Sequence, residues 1–116
     1  MITLTVKRHP SGRIDGFCLS GHAGSGPHGY DLVCAGVSAV SFGAVNAVEA
    51  LTAAQITVSR ADEGGKLTCH LDALTDDYGK AALILEAMLV AMQTIAQSYS
   101  KYLRIIDEGG GNGAET

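Results

Sequence analysis

Between Ala81 and Met92 the chain reads Ala-Ala-Leu-Ile-Leu-Glu-Ala-Met-Leu-Val-Ala-Met, apolar on nearly every side of a helix and interrupted only by Glu86. Such a helix cannot rest on a wet surface by one face; it needs cover on several sides, and the rest of the chain must supply most of it. It is not read as a bilayer span, because Glu86 and Gln93 leave no uninterrupted apolar run near the ~20 residues a membrane requires. Thr75 or Asp76 suits the N-cap, and the helix should run to about Ser100. Its apolar surface exceeds what one side of a small domain covers, which predicts a homodimer.

Short alternating runs provide the cover. Ile2, Leu4 and Val6 alternate with Thr3 and Thr5, the period of a half-buried strand, and Pro10, Ser11 and Gly12 supply a turn into a second strand from Ile14 to Leu19. Ile14 and Phe17 are out of phase there, so Gly16 is a candidate bulge. Ile56 to Ser59 and Leu67 to Leu71 flank Asp62-Glu63-Gly64-Gly65 as a second hairpin, in which Cys69 and His70 point to opposite faces. Tyr102 to Ile106 reads as a last strand. A first helix should span about Leu32 to Ala53, with Val33, Val37, Val40, Ala44, Val48 and Leu51 as its buried stripe. Gly36 and Gly43 within it predict close approach of the other helix, since interior glycines cost about 1 kcal/mol each. The expected fold is α+β, in the order β-β-α-β-β-α-β, with two helices packed on a mainly antiparallel sheet. Residues 1–107 form one domain, and Glu108 to Thr116 a flexible Gly-rich tail.

Charge narrows the function classes. With 8 Lys and Arg against 12 Asp and Glu, and the cations scattered singly, no basic stripe exists for phosphate, so direct nucleic-acid binding is not expected. Three cysteines at uneven spacing make no disulfide framework, and no signal peptide is visible, which points to a reducing cytoplasm.

All the chemistry lies in residues 20–41. A strand ending near Ser20 delivers His22 to a loop with Gly24, Gly26 and Gly29, Asp31 stands where an N-cap belongs, and Cys34 falls in the first turn of the helix that follows. A helix N-terminus biases a thiol toward thiolate, and a nearby imidazole completes its activation. The backbone N–H of Cys34 is then a candidate oxyanion donor. Asp31 serves as helix cap in preference to third triad member. Ser38, one turn beyond Cys34, lines the site or simply packs, and His28 is read as an exposed loop residue.

Other readings compete. Gly24 to Gly29 matches G-x-G-x-x-G, but the acidic residue a dinucleotide site requires falls at Glu49, in the middle of the helix, and Pro27 has no N–H for phosphate. Cys18, His22 and Cys34 could be metal ligands, yet their spacings of 4 and 12 fit no zinc finger or ribbon and a fourth ligand is missing. On spacing alone, a buried structural Cys34 beside a loop His22 stands level with the reactive pair.

Gly21-His22-Ala23, followed by Gly29-x-Asp31-Leu32-Val33-Cys34-Ala35-Gly36-Val37-Ser38, resembles the signature of the bacterial ribosomal-processing cysteine protease family, Prp, and the interval of 12 between His22 and Cys34 fits it. The resemblance extends from Met1 to about Asp107. Leu32 and Gly36 are mild departures, and the loop from Gly24 to His28 is richer in glycine. The resemblance implies a cysteine endopeptidase that removes a short N-terminal extension, rich in apolar and Phe residues, from the large-subunit ribosomal protein numbered twenty-seven. It implies Cys34 as nucleophile and His22 as base, beside the supporting candidates Asp31 and Ser38, with no cofactor, no metal and no membrane partner. The few charges near the motif suit an extended apolar peptide. The alternative from another class is a catalytically silent ribosome-assembly binding module.

Overall fold

Ile2, Leu4 and Val6 are buried while Thr3 and Thr5 are only half so, as a strand with one covered face requires. The computed structural model describes residues 1–21, 28–61 and 65–109, and of residues 28–31 the backbone alone. Its elements are β1 (Ile2–Arg8), β2 (Ile14–Ser20), α1 (His28–Leu51), β3 (Ile56–Arg60), β4 (Lys66–Leu71), α2 (Tyr78–Ser98) and β5 (Leu103–Glu108). They form one five-stranded sheet in the order β3-β4-β2-β1-β5, antiparallel except where β5 runs parallel to β1. This is the expected α+β arrangement. Glu108, expected to begin the tail, instead ends β5 opposite Lys7. Residues 110–116 lie outside the described residues.

The core is the layer between sheet and helices. Leu4, Val6, Ile14, Phe17, Leu71 and Leu103 from the sheet meet Val33, Val48, Leu85 and Met92 from the helices, all essentially without solvent contact. Ile14 and Phe17 both reach this core because β2 bulges: Gly16 pairs with Lys7 but Ile14 pairs with Arg8, leaving Asp15 as the extra residue. Gly16 also passes so close to β4 that a Cβ would stand 2.8 Å from the Cys69 carbonyl oxygen. Cys69 itself is buried and His70 exposed.

Three details differ from expectation. Leu51 is 72% exposed, and Ser41 and Val45 take part in the buried face of α1. The helices pack together, but Gly36 meets only Ile95 Cδ1, at ordinary contact distance for an added Cβ (3.7 Å), and Gly43 faces open space. The residue preceding α2 is Asp77, in a left-handed conformation (φ 58°), with no side-chain cap. Its carboxylate accepts the Ala53 N–H (2.8 Å) and Thr75 Oγ1 accepts the Gln55 N–H (2.7 Å), so these side chains satisfy the backbone just after α1 rather than the start of α2.

Glu86, the lone charge in the apolar segment, has a partner. Arg8 donates from Nη1 and Nη2 to Glu86 (2.9 and 3.0 Å), from Nε and Nη2 to Asp107 (2.8 and 2.9 Å), and from Nη1 to the Gly12 carbonyl (2.8 Å). Bonds to Glu86 first, then Asp107, raise the guanidinium pKa still further above its ordinary value, against the desolvation that lowers it. β1, α2 and β5 are thereby tied at one point. By length and hydropathy Leu32–Leu51 and Tyr78–Ser98 could each cross a membrane, but here each buries one face in the core.

Candidate active site

α1 begins at His28, ahead of the predicted Leu32, so Asp31 is the fourth helical residue and Cys34 the seventh. Two expectations change. Asp31 lies inside the first turn rather than before it, so its backbone is not at the cap; its side chain is outside the described residues. Cys34 lies in the second turn, beyond the four residues whose N–H groups a helix start leaves free, rather than in the first turn.

Cys34, Val37, Ser38 and Ser41 recur at helical spacing and form one wall of a groove of about 240 Å³. Opposite stand Ile2 of β1, Leu19, Ser20 and Gly21 at the end of β2, and Arg60, Ala61 and Gly65 to Leu67 at the end of the β3–β4 hairpin. Backbone hydrogen bonds fix that side: the Gly21 N–H donates to the Gly65 carbonyl (2.9 Å) and the Ile2 N–H to that of Tyr102 (2.8 Å). Gly21 holds φ at +130°, which only glycine adopts readily. Next in sequence is His22, which lies outside the described residues. Cys34 and Ser38 thus share one wall, with Cys34 half-buried and Ser38 exposed.

Beyond Cys34 and Ser38, none of the lining residues was assigned to the site from sequence, Ser41, Phe42, Arg60 and Lys66 among them. Ser41 and Phe42, two turns beyond Cys34, carried a periodicity signal. Ser41 is fully buried and donates to the Ser38 carbonyl (3.3 Å). Arg60 and Lys66 carried none, because their approach to β2 depends on β4, and not β3, pairing with it. The Arg60 guanidinium lies over the Phe42 ring, 5.0 Å from its centre.

The other thiols are elsewhere. Cys18 lies on the far face of the sheet, where its sulfur accepts from Thr68 Oγ1 (3.7 Å), so it cannot share a metal with Cys34. Cys69 is buried, and desolvation first, then Cys18, pushes its pKa up to about 11. The structure does not favour a dinucleotide site either: both hydrogen-bonded neighbours of β2, β1 and β4, are antiparallel to it, and β4 stands between β2 and β3, the strand that follows α1.

Comparison with known proteins gives one consistent result. The family model for cysteine protease Prp matches residues 1–104. The ribosomal processing cysteine protease Prp of Staphylococcus aureus is 38% identical over 105 residues, covering 90% of this chain and 97% of the relative. That of Bacillus subtilis is 39% identical over 107 residues, covering 90% and 96%. Among solved structures, the S. aureus protease with a covalently linked product peptide superposes with a TM-score of 0.81 at 37% identity, over 93% of this chain and all of the other.

Proposed function

The chain belongs to the Prp family of ribosomal-processing cysteine proteases, and on that premise we propose that it removes the short apolar, Phe-containing N-terminal extension of the large-subunit ribosomal protein numbered twenty-seven. The observation that carries this reading is a half-buried Cys34 opening onto a groove whose nearby walls include Ile2, Leu19, Val37 and Leu67. Such a groove suits an extended apolar peptide. Cys34 is the nucleophile: its sulfur bonds to the scissile carbonyl carbon, the C–N bond breaks, and His22, as imidazolium, protonates the leaving amine. His22 then takes a proton from water, which hydrolyses the thioester and restores the thiol. Ser38 supports the site from the same wall. Asp31 is proposed as a supporting residue from the first turn of the same helix.

Incubation with the extended ribosomal protein should give one shortened product by mass spectrometry. Replacing Phe residues of the extension by Ser should lower kcat/KM by about tenfold or more, since a lost buried aromatic costs about 1.5 to 3 kcal/mol. An unchanged kcat/KM refutes the apolar groove. Tight binding without cleavage establishes the silent assembly module instead.

The protease is also proposed to work in the cytoplasm as a homodimer. α2 buries Ala81, Ala82, Leu85, Met88, Leu89 and Met92 within its own domain. Leu83 (69% exposed) and Val90 (57%), with exposed Ala87 between them, are left as an outward apolar stripe. Light scattering at micromolar concentration should give twice the chain mass; a strictly monomeric particle removes the dimer.

A further inference from the structure

We infer that Arg60, laid across Phe42, bridges the two walls of the groove at its far end and limits the size of the peptide side chain that seats there, an inference that rests on the peptidase reading above. Of the α1 residues that line the groove, Phe42 is the farthest from Cys34. It is partly buried against the core, which gives its ring a fixed bed. Arg60 ends β3 opposite buried Leu67, on the sheet face turned toward the helices. The N–H of Ala61, the next residue, donates to the Lys66 carbonyl (3.2 Å) and holds the backbone at this end of the hairpin. From there the exposed Arg60 side chain crosses to α1, its guanidinium 5.0 Å from the centre of the Phe42 ring. A planar guanidinium covers an aromatic face in a way a lysine ammonium cannot.

Helix geometry supplies the distance. Phe42 lies eight residues beyond Cys34 on α1, about 12 Å along the axis at ~1.5 Å per residue. An extended peptide advances about 3.3 Å per residue, so a chain anchored at Cys34 meets the bridge after three to four residues. The groove holds only about 240 Å³, and the volume the guanidinium fills at this end is closed to a bulky side chain. A leucine stops short of the bridge, whereas a tryptophan must lift Arg60 off Phe42 to enter.

The test uses the full-length Cys34→Ala protein and labelled peptides spanning the cleavage site, with Leu or Trp placed three or four residues from the scissile bond on either side. At one of these positions Leu should bind about tenfold more tightly than Trp. Arg60→Ala, a change at an exposed position, should erase that preference, and so should Arg60→Lys, which keeps the charge and loses the planar face. Phe42→Leu should act in the same way, and combining it with Arg60→Ala should add nothing, because a single contact is then removed twice. Equal binding of Leu and Trp peptides throughout, a preference that survives Arg60→Lys, or additive shifts in the double variant overturn the inference. Cleavage by the protein with Cys34 intact is followed in parallel. Cleavage without size preference leaves the peptidase reading standing and removes the bridge; a size preference that depends on Arg60, without cleavage, does the reverse.

Discussion

Alanine at Cys34 is expected to abolish peptidase activity, and alanine at His22 to do nearly the same, each by on the order of 10³-fold or more in kcat, with the fold intact. The position of Cys34 sharpens the argument for His22. The field of a helix end fades beyond the first turn, and Cys34 is in the second. In the proposed mechanism activation therefore falls to the imidazole of His22. Alkylation at neutral pH should modify Cys34 fastest, and His22→Ala should slow that reaction while leaving the other thiols unchanged. Cys69, its pKa pushed up to about 11 by burial, should react only on unfolding. Equal alkylation of Cys34 with and without His22 refutes the dyad, and cleavage by the Cys34→Ala protein refutes the cysteine-protease assignment of this residue.

A second large effect is expected at Gly21. A Cβ there would stand 2.5 Å from the Met1 carbonyl oxygen and 2.8 Å from the Ile2 Cα, both backbone atoms, at a φ of +130° that other residues avoid. Gly21→Ala should therefore cost about 3 kcal/mol and lower the midpoint of thermal unfolding by about 10 °C or more. Because Gly21 immediately precedes His22, peptidase activity at temperatures where the variant remains folded should fall as well. A midpoint within a degree or two of the parent would show that the chain end relaxes freely and that the close approach constrains nothing.

Most of the architecture could be read from local patterns. Alternation at Ile2, Leu4 and Val6, and the phase slip between Ile14 and Phe17, report which side chains a sheet buries, and the structure reproduces both. The helix starts were harder, since Asp31 and Thr75 are both good capping residues by type. Thr75 found a better use across the chain at Gln55, and α1 extended back past Asp31 to His28. Tertiary pairing overrode local preference in the first case. At the site, Cys34 and Ser38 share a helix and so could be placed together in advance. Arg60 could not, because its approach to Phe42 requires a strand order that periodicity does not encode.

The parallel pairing of β1 with β5 has a temporal meaning. Ile2 walls the groove, yet it lies opposite Leu103 and its N–H is bonded to Tyr102, near the far end of the chain. Synthesis delivers β1 first and β5 last, so the hairpin of β1 and β2 can form early while this wall still lacks its neighbour. Arg8 likewise waits for Asp107. A nascent protease that already contains Cys34 is therefore still unfinished around it, and competence to cut arrives with the closing strand.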